Sequence, residues 1–214
     1  MTNDFLDAGR SRALLDALVE TTASLCSLST RLSLTALLDR LGAFTREMLG
    51  AEASAVMLLD PTGSHLYWET SSGGESTVRG LTLPVGHGIA GTVALTGQPC
   101  IVKDTAGDPR VAHNIDAATG FVTRSILCVP IRVRDTTLGV IEALNKAGGP
   151  FTAADQELLE LIAGQAGIAI DNTRLYESLD ERVRQRTEEL GAANARLEKT
   201  LWDLRATQAQ LSQA

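Results

Sequence analysis

The chain has 214 residues, enough for one domain of ordinary size with extensions or for two small domains. Its hydrophobic content of 44% is sufficient for a packed core, and its formal net charge of −7 argues against binding to a nucleic-acid backbone, which needs an excess of Lys and Arg. No apolar run approaches the roughly 20 residues that a membrane-spanning helix needs.

Two further features indicate a cytoplasmic protein. The first residues, MTNDFLDAGRSR, lack the apolar stretch of a signal peptide. Cys26, Cys100 and Cys128 are too far apart for a metal-binding motif, which is typical of reduced thiols in a cytosol. We therefore expect neither a metal site nor contact with a membrane.

Helical periodicity dominates the first 50 residues. Leucines recur at helical spacing, three, four or seven positions apart, from Leu14 to Leu28, and the pattern resumes from Leu34 to Phe44. We predict an N-terminal helix within residues 1–32, a break near Ser29–Ser33 and a second helix capped by Ser33 or Thr35.

Short strands separated by turns follow, between Ala53 and Leu144. Strands combined with helices on this scale predict an α+β sandwich, with a central antiparallel sheet flanked by helices. The predicted strands are Ala55–Leu59, His65–Glu69, Leu81–Pro84, Ile101–Val102, Ser125–Arg134 and Thr137–Leu144, with a helix over Ile89–Leu95 and a hairpin turn at Asp135.

A long helix is predicted from Phe151 onward. Thr152 and Asp155 have the spacing of a capping box, and no proline follows before Leu211. A continuous helix of about 60 residues would be on the order of 90 Å long, more than one domain of this size can cover. We therefore place a domain over residues 33–171 and a separate helical segment over residues 172–214.

The C-terminal segment carries a heptad repeat at Val183, Leu190, Leu197, Leu204 and Leu211. A solvated single helix is one interpretation. A parallel dimeric coiled coil is favoured, because an isolated helix with so few apolar residues gains little stability from propensity alone. A coiled coil has a second core position in each heptad. Depending on the register, that position holds either Thr187, Asn194, Leu201 and Gln208 or Arg186, Ala193, Thr200 and Thr207.

Three motifs carry a resemblance to a known family. They are LPVGHGIAGTVALTGQP (81–99), IDAATGFVTRSILCVPI (115–131), and a signature formed by Asn145, Lys146, Phe151 and Asp155. Together they resemble a GAF domain of the type that binds cyclic nucleotides in phosphodiesterases and bacterial adenylyl cyclases. The tail resembles the linker helix of bacterial sensor histidine kinases, as in two-component systems.

The resemblance implies a role for each matching position. Ile89 and Ala90 would pack on the purine and offer backbone N–H groups, and the N-terminus of their helix would favour phosphate charge. Thr119 and Thr123 would contact the nucleotide, Glu142 would lie on the pocket floor, and Asp116 would begin a lid. The signature residues Asn145, Lys146, Phe151 and Asp155 would brace the fold and lid through a Lys146–Asp155 pair.

Some positions admit a simpler interpretation or depart from the family. Asp155 could serve as a helix cap alone, Glu142 could face solvent, and Trp68 is interpreted as a core residue. The family usually has Glu at Gln156 and often a polar residue at Ala55.

The hypothesis from the sequence is a cytoplasmic sensor. It would bind cAMP or cGMP, form a homodimer through its N- and C-terminal helices, and relay occupancy to an output domain such as a kinase or cyclase. The alternative is a dimerisation spacer with a degenerate pocket or another small-molecule ligand. We expect no enzymatic activity, cofactor or nucleic-acid partner. The cysteines do not match those of GAF proteins that reduce methionine sulfoxide, nor do they lie in a context for bilin attachment.

Overall fold

The computed structural model describes residues 34–73, 80–111, 115–116 and 120–211. The predicted N-terminal helix over residues 1–32 lies outside them. In the described residues the elements are α1 (Leu34–Leu49), β1 (Ala51–Leu59), β2 (His65–Ser72), β3 (Thr82–Pro84), α2 (Gly88–Thr96), β4 (Cys100–Val102), β5 (Ile126–Val133), β6 (Thr136–Lys146) and α3 (Ala153–Leu211).

The six strands form one curled antiparallel sheet in the order β3-β2-β1-β6-β5-β4. This confirms the predicted α+β fold. The β5–β6 hairpin turns through Arg134 and Asp135, since Val133 pairs with Thr136. Arg134 has φ +54°, the left-handed conformation that a tight two-residue hairpin loop requires.

Both faces of the sheet are buried. One face packs against α1 and the first part of α3, in a cluster that includes Leu38, Leu159, Ile162 and Ile170. The other face packs against α2 in a second cluster. Successive residues of a strand point to opposite faces, so each central strand contributes to both clusters. In β6, Ile141 and Ala143 belong to the first cluster and Val140 to the second.

The predicted start of α3 is confirmed by its hydrogen bonds. The Thr152 backbone N–H donates to Asp155 Oδ2 at 2.7 Å, and the Asp155 N–H donates to Thr152 Oγ1 at 3.3 Å. This reciprocal pair is a capping box, which satisfies two backbone donors at the start of the helix.

The helix α3 runs without a break for 59 residues. A boundary between two compact units falls within it, after Asp171. In the second unit, the heptad residues Val183, Leu190 and Leu197 are each more than 60% exposed. Their pairing in a dimeric coiled coil remains a prediction. Within the described part of the chain, no helix combines the length and the apolar character that a membrane span requires.

Candidate ligand-binding site

A cavity lies between α2 and the sheet face that α2 covers. The space between its walls, including the part open to solvent at the mouth, is about 770 Å³. The predicted ligand residues that the structure describes all line it, namely Ile89, Ala90, Asp116, Thr123 and Glu142. Thr119 lies outside the described residues. Five predicted positions, from α2, from the segment before β5 and from β6, therefore converge on one cavity.

The N-terminus of α2 forms one wall of this cavity. The helical hydrogen bonds begin where the Gly91 N–H donates to the His87 carbonyl at 3.1 Å. The amides of Gly88, Ile89 and Ala90 precede that bond, and all three residues line the cavity. Amides in the first turn of a helix have no acceptor within the helix and carry partial positive charge. This wall therefore suits an anionic group.

A close approach of two segments positions this helix. A Cβ at Gly91 would lie 2.6 Å from the carbonyl oxygen of Pro84, at the end of β3. The Gly86 N–H also donates to the Gly91 carbonyl at 2.8 Å. Only glycine at position 91 allows this contact, which brings the first turn of α2 against the turn that follows β3.

Glu142 lies on the floor of the cavity. It is 9% exposed, so it does not face solvent, and Ala55 and Cys128 lie directly opposite it on the neighbouring strands. Burial raises the pKa of Glu142 to about 7, although a hydrogen bond from the Cys128 thiol acts in the opposite direction. At neutral pH the carboxyl is therefore divided between two forms, a protonated donor and an ionised acceptor.

Asp116 and Thr123 close one side of the cavity. The Thr123 hydroxyl donates to Asp116 Oδ1 at 2.7 Å, and the Thr123 backbone N–H donates to Asp116 Oδ2 at 3.1 Å. The Gly120 N–H also donates to the Asp116 carbonyl at 2.8 Å. These bonds tie Asp116, the predicted start of the lid, to Gly120 and Thr123. In this arrangement the Thr123 hydroxyl donates its proton to the hydrogen bond with Asp116.

Asn145 holds the base of that segment in place. Its Oδ1 accepts from the Arg124 N–H at 2.6 Å, and its Nδ2 donates to the Val122 carbonyl at 2.8 Å and to Glu52 Oε2 at 3.0 Å. Glu52 is also paired with Arg124. Asn145 is buried and has φ +56°, a conformation that asparagine tolerates better than most residues. The role predicted for Asn145, a brace of the lid, agrees with this geometry.

Lys146 and Asp155 join the end of β6 to the start of α3. Lys146 Nζ lies 2.7 Å from Oδ1 and 2.6 Å from Oδ2 of Asp155. Burial alone would raise the pKa of Asp155, but hydrogen bonds from Lys146 and Thr152 outweigh it and hold the pKa below its ordinary value. Asp155 is therefore both a helix cap and a partner of Lys146. Gln156 donates to Glu160 instead and takes no part in this pair.

The comparisons with known proteins agree with this architecture. The sequence model of the GAF domain family matches residues 33–170. This chain belongs to the GAF domain family. A similar sequence is the probable 3′,5′-cyclic phosphodiesterase pde-5 of Caenorhabditis elegans, which is 29% identical over 157 residues. The aligned part is 69% of this chain and 22% of that protein, so the chain spans about a fifth of that relative's length.

Solved structures of low sequence identity share the fold. The GAF domain from a phosphoenolpyruvate-protein phosphotransferase of Coxiella burnetii has a TM-score of 0.67 at 19% identity, covering 78% of this chain and 98% of its own. A free methionine-R-sulfoxide reductase from Neisseria meningitidis has a TM-score of 0.65 at 19% identity, covering 79% of this chain and 93% of its own. At such identity the likeness shows the GAF fold alone.

Sequence reasoning missed several wall residues of the GAF cavity. Trp68 packs in the cluster around α2, as the sequence predicts for a core residue, but it also lines the cavity. Ala55 lines the cavity too, so its small side chain leaves space that a larger polar residue would occupy. Alternation along β1 and β2 could have placed these side chains on the ligand face. The remaining unpredicted wall residues are Ala53, Ser71, Leu83, Gly88, Val111, Ile115, Phe121, Ile126 and Leu144.

The walls of the GAF cavity are mainly apolar, and their charge is acidic. Glu142 and Asp116 are its carboxyl groups, and none of the described lining residues is Lys, Arg or His. The described part of the chain also contains no group of three or more His, Cys, Asp or Glu residues that could hold a metal ion. Any anionic part of a ligand would therefore depend on the amides of α2, while Glu142 and Asp116 suit polar N–H or O–H groups.

Replacing Lys146 by Met is expected to lower the free energy of unfolding by about 1–2 kcal/mol, because Asp155 would keep its partial burial without its cation. The side chains of Lys146 and Asp155 are 23% and 14% exposed, which keeps the effect below that of a fully buried pair. Urea unfolding at pH 7 measures it, with the exposed Lys103→Met as the control.

The pH dependence of the same variant gives a second readout. Because the folded-state pKa of Asp155 is lowered, its stabilising contribution is present above the unfolded-state pKa and disappears as the pH falls through the folded-state pKa. Lys146→Met should therefore lose less stability on acidification than the parent chain. Equal urea midpoints for Lys146→Met and Lys103→Met would contradict a role for the pair.

Proposed function

We propose that this GAF domain binds a cyclic nucleotide, cAMP or cGMP, and acts as the sensor of a signalling protein. The observation that carries the proposal is the convergence of Ile89, Ala90, Asp116, Thr123 and Glu142 on one cavity. A relative of 29% identity is described as a probable 3′,5′-cyclic phosphodiesterase, which supports the same ligand class.

The chemistry of the cavity matches the parts of a cyclic nucleotide. The phosphate carries one negative charge and would bind at the first turn of α2, where the amides of Ile89 and Ala90 precede the helical hydrogen bonds. The apolar walls, including Trp68, would hold the purine. Glu142 and Asp116 would exchange hydrogen bonds with the polar edges of base or ribose, and Glu142 can act as donor or acceptor because its pKa is about 7.

A direct structural path leads from this cavity to α3. Glu142 on the cavity floor and Lys146 at the end of β6 belong to one strand, and Lys146 is bonded to Asp155 in the first turn of α3. Asn145, next to Lys146, holds the segment that carries Thr123. A ligand that moves Asp116 or Thr123 would therefore act on the residues that anchor the helix. We infer that α3 relays occupancy through a dimeric C-terminal coiled coil to an output domain such as a kinase or cyclase.

Isothermal titration calorimetry with cAMP and cGMP tests the proposal, on protein freed of carried-over nucleotide. We expect saturable binding of at least one of them. Ala55→Leu should weaken it at least about tenfold, since the larger side chain occupies ligand space. Ala154→Leu on the exposed side of α3 is the control and should bind like the parent chain. Absence of both heat and thermal shift at millimolar nucleotide would contradict the proposal.

The proposed role is binding without conversion of the ligand. Nucleotide recovered after prolonged incubation with the protein should be chromatographically unchanged. Appearance of 5′-AMP or 5′-GMP at a rate above that of buffer would show catalysis instead and overturn this part of the proposal.

The acidic walls favour a second candidate, a GAF spacer whose cavity takes a neutral or cationic small molecule. Glu142 and Asp116 lie on the walls together with Trp68 and Phe121, and aromatic faces attract cations. Mass spectrometry of small molecules released from the purified protein separates the two candidates. Spin labels at Ala192→Cys in a cysteine-free chain add a test, because a spacer keeps the same inter-protomer distance with every nucleotide.

A further inference from the structure

Two thiols lie beside Glu142 on the same face of the sheet. Cys100 on β4 and Cys128 on β5 are directly opposite each other in an antiparallel pair, and Cys128 is in turn opposite Glu142 on β6. Both cysteines are free thiols and belong to the cluster around α2, so their side chains share a face. Glu142, Cys128 and Cys100 thus form one row across three strands.

The backbone spacing of this pair is compatible with a disulfide. Residues directly opposite in an antiparallel pair have Cα atoms about 4.5–5.5 Å apart. Disulfides join Cα atoms about 4.4–6.8 Å apart. Because Cys100 and Cys128 occupy such positions and point to one face, bond formation needs side-chain rotation and no exchange of strand register.

The two thiols differ in environment. Cys100 is partly exposed on β4, an edge strand, and Arg110 Nη1 lies 3.8 Å from its Sγ. The same guanidinium is paired with Asp108 through its other terminal nitrogen. Cys128 is fully buried, and burial raises its pKa well above the ordinary value. Cys100 is therefore the thiol that meets an oxidant first.

Glu142 is a base placed next to the buried thiol of Cys128. Cys128 lies directly opposite Glu142 on the neighbouring strand, and hydrogen bonding from its thiol acts to lower the pKa of that carboxyl against the larger effect of burial. Burial raises the pKa of Glu142 to about 7, which makes its carboxylate a stronger base than an ordinary one. A buried thiol with an adjacent base can react as a nucleophile even though it is a weak acid.

We propose that Cys100 and Cys128 form a peroxide-reactive dithiol that closes to a disulfide, with Glu142 taking the proton of Cys128. In the first step the Cys100 sulfur attacks a hydroperoxide, the O–O bond breaks, and an alcohol or water leaves with the thiol proton. Cys100 becomes a sulfenic acid. In the second step Cys128 passes its proton to Glu142 and its sulfur attacks Cys100. The S–O bond breaks, and hydroxide takes the proton back from Glu142 and leaves as water.

The electrons balance, because two thiols supply the two electrons that reduce one hydroperoxide. The disulfide also removes the thiol proton that Glu142 accepts in the reduced chain. Oxidation therefore changes the hydrogen bonding of a group on the cavity floor. The dithiol chemistry itself does not depend on which ligand the cavity binds.

The test uses the full chain in a Cys26→Ser background, which leaves these two thiols. One equivalent of hydrogen peroxide should remove both thiols, lower the intact mass by two hydrogen atoms, and yield a disulfide-linked peptide pair containing Cys100 and Cys128. With Cys128→Ser, dimedone should label Cys100 as the sulfenic acid. With Cys100→Ser, Cys128 should stay a thiol under the same conditions.

The Glu142→Gln variant tests whether closure of the disulfide needs Glu142 as a base or needs only that the two thiols lie close together. It should slow closure of the disulfide at least about tenfold, since general-base catalysis contributes at least that much. While closure is slow, Cys100 should remain a sulfenic acid that dimedone can label. Glu157→Gln, an exposed carboxylate on α3, should close at the parental rate. Circular dichroism checks that each variant is folded.

Three results would overturn the proposal. They are unreacted thiols after peroxide treatment, over-oxidation of Cys100 with Cys128 still reduced, or disulfides formed only between chains. Closure of Glu142→Gln at the parental rate would remove Glu142 from the mechanism.

Discussion

Gly167→Ala is expected to destabilise the GAF domain, whereas Gly164→Ala, three residues earlier in the same helix, is expected to stabilise it. A Cβ at Gly167 would lie 2.5 Å from the carbonyl oxygen of Arg132 and 3.2 Å from Val133 Cγ2. The backbone of β5 would have to move to admit it. A Cβ at Gly164 meets no atom within 4 Å.

The two substitutions therefore differ in sign although their chemistry is the same. Gly164→Ala should raise the free energy of unfolding by about 1 kcal/mol, which is the gain in helix propensity. Gly167→Ala has the same gain in helix propensity, but its free energy of unfolding should fall by roughly 2 kcal/mol overall, because overpacking against the backbone of β5 outweighs that gain. Urea unfolding of both variants measures the difference. Equal stabilisation of the two would show that α3 does not pack against β5 at Gly167.

Glu142→Gln is expected to stabilise the domain at pH 8 and to leave its stability unchanged near pH 4. The pKa of Glu142 rises from 4.5 to about 7 on folding because the carboxyl is buried. Between these two values the folded state keeps a proton that the unfolded state has released. Stability therefore falls as the pH rises through this window, by about 3 kcal/mol in total.

Gln removes this loss because it has no charge to bury. The difference in unfolding free energy between Glu142→Gln and the parent chain, measured in urea at pH 4, 6 and 8, isolates the carboxyl because the other titrating groups cancel. Glu157→Gln on the exposed side of α3 is the control and should show no such trend. A difference that is constant with pH would mean that Glu142 is ionised and solvated in the folded state.

The elements of the fold could be predicted because their signals are local. Two apolar runs, now β5 and β6, flank the predicted turn at Asp135, and the structure has a hairpin there that turns through Arg134 and Asp135. The capping box at Thr152 likewise predicts the start of α3 from two residues three positions apart. The family motifs then led to cavity positions such as Ile89 and Glu142.

The state of individual side chains could not be predicted in this way. Alternation along β6 predicts that Glu142 points to the other face of the sheet from Ile141 and Ala143. Whether that face is buried or solvated depends on the packing of α2 over it. The sequence predicts Trp68 as a core residue only, because nothing near it in the chain shows that the core opens into a cavity. The bond between Thr123 and Asp116 likewise depends on how the chain turns between them.

By itself, the sequence determined the family, the order of the described elements and five of the sixteen residues that line the cavity, because periodicity, capping and motifs are short-range properties. Only the tertiary structure decided which glycine packs against a strand and that Cys100, Cys128 and Glu142 lie in one row. It also decided that the carboxyl of Glu142 is buried. These properties depend on strand register and on what covers each face of the sheet, and both arise from contacts between residues far apart in the chain.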